Sequence, residues 1–142
     1  MFKTGDEAVR WIHSRKKFGS RPGLIRVNEL LKLCGHPEKN TIGIHIAGTN
    51  GKGSTVTYLR CLLEMQKLAV GTFTSPYIES FYERISINGK AISAEEFVQL
   101  ANEFRPLVDS MDEDTRYQGI TEFEILTAMA FSYFQKHADI AI

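Results

Sequence analysis

The stretch from Thr41 to Thr55, TIGIHIAGTNGKGST, constrains the fold more than any other part of the chain. Ile42, Ile44 and Ile46 alternate with Gly43, His45 and Ala47, the period-two pattern of a strand whose second face is small enough for close packing of another layer. A glycine-rich turn follows. Val56, Leu59 and Leu63 then recur at i, i+3 and i+7, which predicts a helix to about Lys67, and Ala69 to Phe73 reads as the next strand. Strand, loop, helix and strand in this order predict parallel strands joined by a right-handed crossover. The expected class is α/β, with a buried strand over residues 41–47.

The turn itself reads Gly48, Thr49, Asn50, Gly51, Lys52, Gly53, Ser54, Thr55. Its glycines let successive backbone amides converge on an anion, the helix N-terminus adds partial positive charge, and Lys52 adds a full one. A polyphosphate is the expected ligand. Ser54 or Thr55 stands where such loops hold magnesium or a phosphate oxygen. The spacing departs from GxxxxGK[ST], because Gly53 separates the lysine from the serine. A plain strand-to-helix turn is the alternative, and the flanking strand and amphipathic helix favour phosphate.

Elsewhere the punctuation is local. Thr4-x-x-Glu7 is a capping-box pattern before Ala8, Trp11 and Ile12, predicting a first helix to about Lys17. Phe18 to Gly23 breaks it, and Leu24 to Leu33 resumes helical spacing until Gly35 and Pro37. Thr74 to Arg84 has aromatics without a period and reads as a functional loop. Ile85 to Ile92 alternates around Asn88-Gly89, a type I′ hairpin signal. Ser93-x-x-Glu96 caps a helix that Pro106 is expected to end or kink, and Thr121-x-x-Glu124 caps another running to about His137. Asp139 to Ile142 reads as the opening of a third core strand, so the chain is expected to be the front portion of a longer protein.

With 142 residues, 43% hydrophobic and 24% charged, the chain has room for one domain with its own core. No apolar run approaches the ~20 residues of a membrane span, and no signal-peptide pattern follows Met1. A cytoplasmic location is expected by default, with neither membrane nor nucleic acid as a partner. Cys34 and Cys61 lack CxxC spacing and read as reduced core thiols. Trp11, Phe97 and Phe104 read as core or surface residues rather than ligands. His13, His36, His45 and His137 read as core or surface residues rather than ligands, His45 as a satisfied core imidazole. The net charge is zero, yet residues 1–70 hold twelve basic and five acidic side chains and residues 71–142 the reverse. Solvated helix faces explain this as well as an anion-binding first half does.

Five motifs carry a resemblance. FGSRPGLIRV, AGTNGKGST, FTSPYI, ERISING and TEFEILTA, in that order, resemble the folylpolyglutamate synthase and dihydrofolate synthase family within the wider Mur-type amide ligases. The resemblance implies a P-loop-containing three-layer α/β/α domain of the Mur ligase central type, here truncated and carrying a β-hairpin insertion. Residues 1–142 would be the N-terminal part of its ATP-binding domain, without the rest of that domain or the C-terminal one.

The same resemblance assigns roles by position. Gly48 to Thr55 would bind the ATP phosphates, with Lys52 catalytic, and Ser75 would ligate magnesium. Arg21, Pro22 and Gly23, with Thr121, Glu122, Phe123 and Glu124, would line a pterin pocket. The structural alternatives are a turn at Ser75-Pro76 and a helix cap at Thr121 to Glu124. A family magnesium-binding glutamate would fall about two residues beyond Ile142. The implied reaction joins L-glutamate to dihydropteroate or a reduced folate, with ATP and Mg²⁺, through an acyl phosphate. The longer protein is expected to be a monomer, with self-association of the present chain an open outcome because of an exposed sheet edge. A nucleotide- or folate-binding module without turnover, and an unrelated P-loop kinase or NTPase, are the rival readings; the second lacks an NKxD motif and a complete hydrophobic strand ending in Asp.

Overall fold

Reciprocal side-chain caps start the two long helices. In the computed structural model, which describes residues 1–19 and 21–142, Ser93 Oγ accepts the Glu96 amide at 3.2 Å while Glu96 Oε2 accepts the Ser93 amide at 3.0 Å. Thr121 and Glu124 repeat the exchange at 3.3 and 2.8 Å. Each box satisfies two amides that the helix cannot satisfy itself. At the chain start Thr4 Oγ1 accepts the Glu7 amide at 3.3 Å, but the Glu7 carboxylate reaches Lys3, one residue earlier than a capping box requires.

The elements are α1 (Gly5–Ser14), α2 (Ile25–Leu33), α3 (Lys52–Met65), β1 (Val70–Phe73), β2 (Ile85–Ile87), β3 (Lys90–Ala91), α4 (Ala94–Glu113), α5 (Glu122–His137) and β4 (Ile140–Ala141). The sheet order is β3-β2-β1-β4. β1 is antiparallel to β2, with Thr72 opposite Ser86, and parallel to β4, with Gly71 opposite Ala141. Asn88 and Gly89 both take positive φ, 50° and 74°, giving the expected hairpin between β2 and β3. The fold is mixed α/β.

Several expectations are corrected. Residues 41–47 do not form a buried strand: Gly43 makes a single parallel bridge to Ala141, and Ile42 is 67% exposed. The neighbouring strand β4 spans two residues, so the ladder stops after the bonds Ile44 N to Ala141 O and Ala141 N to Ile42 O, both 2.8 Å. This segment lies beyond β4 rather than beside β1. His45 is therefore exposed and not a core imidazole, and Cys61 is exposed on α3, whereas Cys34 is half-buried; both are free thiols. The first helix ends at Ser14 and tightens into a 3₁₀ turn over Arg15–Phe18. Pro106 does not end α4, which continues to Glu113. Ser20, inside the breaker segment, lies outside the described residues.

The core sits among helices more than against the sheet. Ile12 and Trp11 of α1, Leu30 of α2, Phe97, Phe104 and Val108 of α4 surround α5, which is buried on most of its circumference. By contrast α3 buries only Val56 fully and leaves Tyr58, Leu62 and Met65 exposed. Among the described residues no helix is long and apolar enough to cross a membrane.

Candidate functional site

Two clefts, each of about 670 Å³, lie side by side. Ser75, Phe123 and Thr127 line both. The first gathers Arg21 and Gly23 from the segment before α2, Thr121 to Glu124 from the start of α5, and Arg84. The second is more apolar and gathers Lys52 and Gly53 from the glycine-rich turn with Phe73, Thr74 and Ala130.

In the turn, Gly51 takes φ 78° and starts α3 with no side-chain cap. A left-handed residue at this point suits glycine and leaves the first amides of α3 available to an anion. Lys52 Nζ donates to Gly48 O at 2.6 Å, folding the ammonium over the turn. Thr55 Oγ1 donates back to Gly51 O at 2.9 Å, so its hydroxyl is engaged within the helix. The whole turn, Gly48 to Thr55, is exposed. Lys52 and Gly53 line the second cleft together with Ser75.

The loop after β1 is organised by Glu83. Its carboxylate accepts the amides of Ile78, Glu79 and Ser80 at 3.0, 3.3 and 3.0 Å. The Ile78 amide above all, with those of Ser80 and Glu79, holds the Glu83 carboxyl below its ordinary range against the opposing effect of desolvation. Ser75 itself is exposed at the mouth of both clefts.

At the first cleft the sequence-expected residues from opposite ends of the chain meet. Arg21 Nη1 donates to Gln118 O at 3.0 Å, and Arg26 Nε donates to Glu124 Oε2 at 3.1 Å. Glu122 is buried, and His13 Nδ1, Arg84 Nη2 and Lys16 Nζ stand 3.5, 3.8 and 3.9 Å from its carboxylate. Its Oε2 makes no hydrogen bond among the described residues. Phe123 is 56% exposed and stacks on Phe73. Pro22 is the one expected residue of this group that does not line the cleft.

Sequence reasoning missed Arg15, Arg26 and Arg84. Arg15 and Arg26 are both 7% exposed. A signal existed: Arg15 follows Ala8, Trp11 and Ile12 on one helical face, and Arg26 shares a face with Leu30, so each is a charge on an apolar stripe. Such a charge needs a buried partner. Arg15 finds Asp112, at 2.7 and 2.9 Å, and Ile120 O at 3.0 Å.

No family model matches the chain. Among curated proteins, the dihydrofolate synthase/folylpolyglutamate synthase of Bacillus subtilis is 53% identical over 134 residues, covering 94% of this chain and 31% of the relative. That of Mycobacterium tuberculosis is 38% identical, covering 85% and 26%. The crystal structure of folylpolyglutamate synthase from Thermotoga maritima superposes with a TM-score of 0.88 at 36% identity, covering 96% of this chain and 32% of that one. The chain is similar to folylpolyglutamate and dihydrofolate synthases in both sequence and fold over the part of them that it covers. An FPGS–AMPPCP–folate complex in the same family superposes at 0.86 and 34% identity over 98% of this chain. The chain spans about a third of the length of the synthases it matches.

Among the described residues no three His, Cys, Asp or Glu side chains are grouped to hold a metal ion. Magnesium takes oxygen ligands and keeps several waters, bound through few protein groups plus substrate phosphates. The Ser75 hydroxyl, in the cleft that also holds Lys52, is compatible with that donor set.

Proposed function

We propose that the chain forms the first part of the ATP-binding domain of a ligase that joins L-glutamate to dihydropteroate or a reduced folate. The carrying observation is that Ser75 and Phe123 belong to both clefts, so a ligand in one meets a ligand in the other.

In this reading the first cleft takes the pterin. Phe123 offers an exposed ring, and Arg21 and Gly23 line the cleft with Thr121, Glu122 and Glu124. Gly48 to Thr55 take the ATP phosphates, with the amides of α3 and Lys52 meeting their charge. The substrate carboxylate attacks the γ-phosphate in line, ADP leaves, and the amine of glutamate opens the acyl phosphate with release of phosphate. Ser75 would be among the groups that hold magnesium, which when bound would supply charge neutralisation at the phosphates. Lys52 does the same from the protein side. None of these side chains acts as a nucleophile; they orient two substrates and screen charge.

The test is titration of the 142-residue chain with AMPPCP and with 7,8-dihydropteroate, alongside glutamate-dependent ADP release by a longer protein carrying this sequence. Saturable binding of both ligands, weakened separately by Lys52→Ala and Phe123→Ala, is expected. Absence of both binding events would overturn the reading.

A further inference from the structure

Arg26 joins the two walls of the first cleft without lining it. Its Nε donates to Glu124 Oε2 at 3.1 Å, and its Nη2 lies 3.0 Å from Glu124 Oε1 and donates to Arg21 O at 3.0 Å. The same Glu124 Oε2 accepts the Thr121 amide at 2.8 Å and the Thr121 hydroxyl at 2.9 Å. One guanidinium thus ties the backbone of the segment before α2 to the cap of α5, almost a hundred residues away. Arg26 is 7% exposed, and Glu124 is buried with it.

We infer that Arg26 is a positioning residue that sets the separation of the cleft walls, an inference that rests on the first cleft being the pterin site. The planar fork of arginine reaches a carboxylate and a carbonyl at once, and an ammonium is a single point that satisfies one of them at a time. Replacing Arg26 by lysine keeps the charge beside Glu124 and leaves the Thr121–Glu124 box intact, yet removes one of the ties between the walls and leaves the bond from Arg21 Nη1 to Gln118 O among those described. The expected consequence is selective. Pterin affinity falls because the walls must be brought together on binding, whereas the phosphate turn, built from Gly48 to Thr55, shares no bond with Arg26.

The experiment compares the 142-residue chain with Arg26→Lys and Glu124→Gln, folding checked by far-ultraviolet circular dichroism. Dihydropteroate and AMPPCP are titrated separately, and hydrogen exchange is followed with no ligand. Expected are a fall of about tenfold in dihydropteroate affinity for both variants, unchanged AMPPCP affinity, and faster exchange at Arg21–Ile25 and Gly119–Glu124 together, with α4 unaffected. Equal loss of both ligands, or loosening confined to α2, would overturn the clamp. If the wild-type chain binds no dihydropteroate, the pterin reading fails while the exchange comparison still decides whether Arg26 couples the walls. If Arg26→Lys does not fold, the exchange pattern of Glu124→Gln decides the same point.

Discussion

Phe73 and Phe123 stack with ring centroids 5.7 Å apart and planes 27° from parallel. One ring ends β1 and the other stands in the first turn of α5, so the pair marks the seam where the two clefts meet. Removing the outer ring should therefore affect ligands more than folding. Phe123→Ala is expected to shift the thermal midpoint by at most a few degrees and to weaken dihydropteroate binding by about tenfold, in line with ~1 kcal/mol for an aromatic contact plus the lost area. Unchanged affinity by fluorescence titration would remove Phe123 from the site.

Lys52→Ala is expected to cost at least tenfold in AMPPCP affinity and almost nothing in stability, because its ammonium is exposed and, among the described residues, bonded to carbonyls of its own turn, Gly48 O and Thr49 O. Isothermal titration in parallel with thermal denaturation separates the two effects. Equal affinity would sink the phosphate assignment.

Ser75→Ala should reduce the gain in AMPPCP affinity that magnesium brings, with the thermal midpoint unmoved, since an exposed loop hydroxyl carries little stability. A magnesium titration that superposes on the wild type would leave Ser75 as a turn residue alone.

The Arg15–Asp112 pair predicts an acid limb. Burial pushes the Asp112 carboxyl upward, but the Arg15 hydrogen bonds, the Gly119 amide and the charges of Arg15 and Lys17 outweigh it and hold Asp112 below its ordinary value. A carboxyl depressed in the folded state contributes stability that is present above the unfolded value of about 4 and is lost as pH falls through the folded one. Asp112→Asn should therefore lower stability by about 2 kcal/mol at pH 7 and flatten the decline of the urea midpoint below pH 4. Parallel wild-type and variant curves from pH 6 to pH 2 would contradict this.

Gly71→Ala tests the packing of β1 on α5. A Cβ at Gly71 would stand 2.6 Å from the Phe134 ring, itself almost fully buried, so neither can yield cheaply. A loss of about 1–3 kcal/mol in urea denaturation is expected. A smaller loss would mean that α5 shifts freely on the sheet.

What was legible in the sequence was whatever depends on near neighbours. The boxes at Ser93 and Thr121 involve residues three apart, the Asn88-Gly89 hairpin is set by two backbone angles, and the glycine-rich turn that starts α3 is one contiguous run; each can be read without the rest of the chain. The motif resemblance added the pairing of Arg21–Gly23 with Thr121–Glu124, but it could not say how the two are held together. That was decided in the tertiary structure, where Arg26, Arg15 and Arg21 reach across the chain to Glu124, Ile120 and Gln118.

The same division explains the main failure. The pattern of residues 41–47 states a preference for extended backbone and for burial of one face, and both need neighbours to be realised. In the structure Gly43 makes one bridge to Ala141 of β4 and Ile42 and His45 stand in solvent, while the core gathers around α5. Local hydrogen bonds and turn angles are encoded in consecutive residues, whereas burial and strand order are properties of what packs alongside, which no single segment carries.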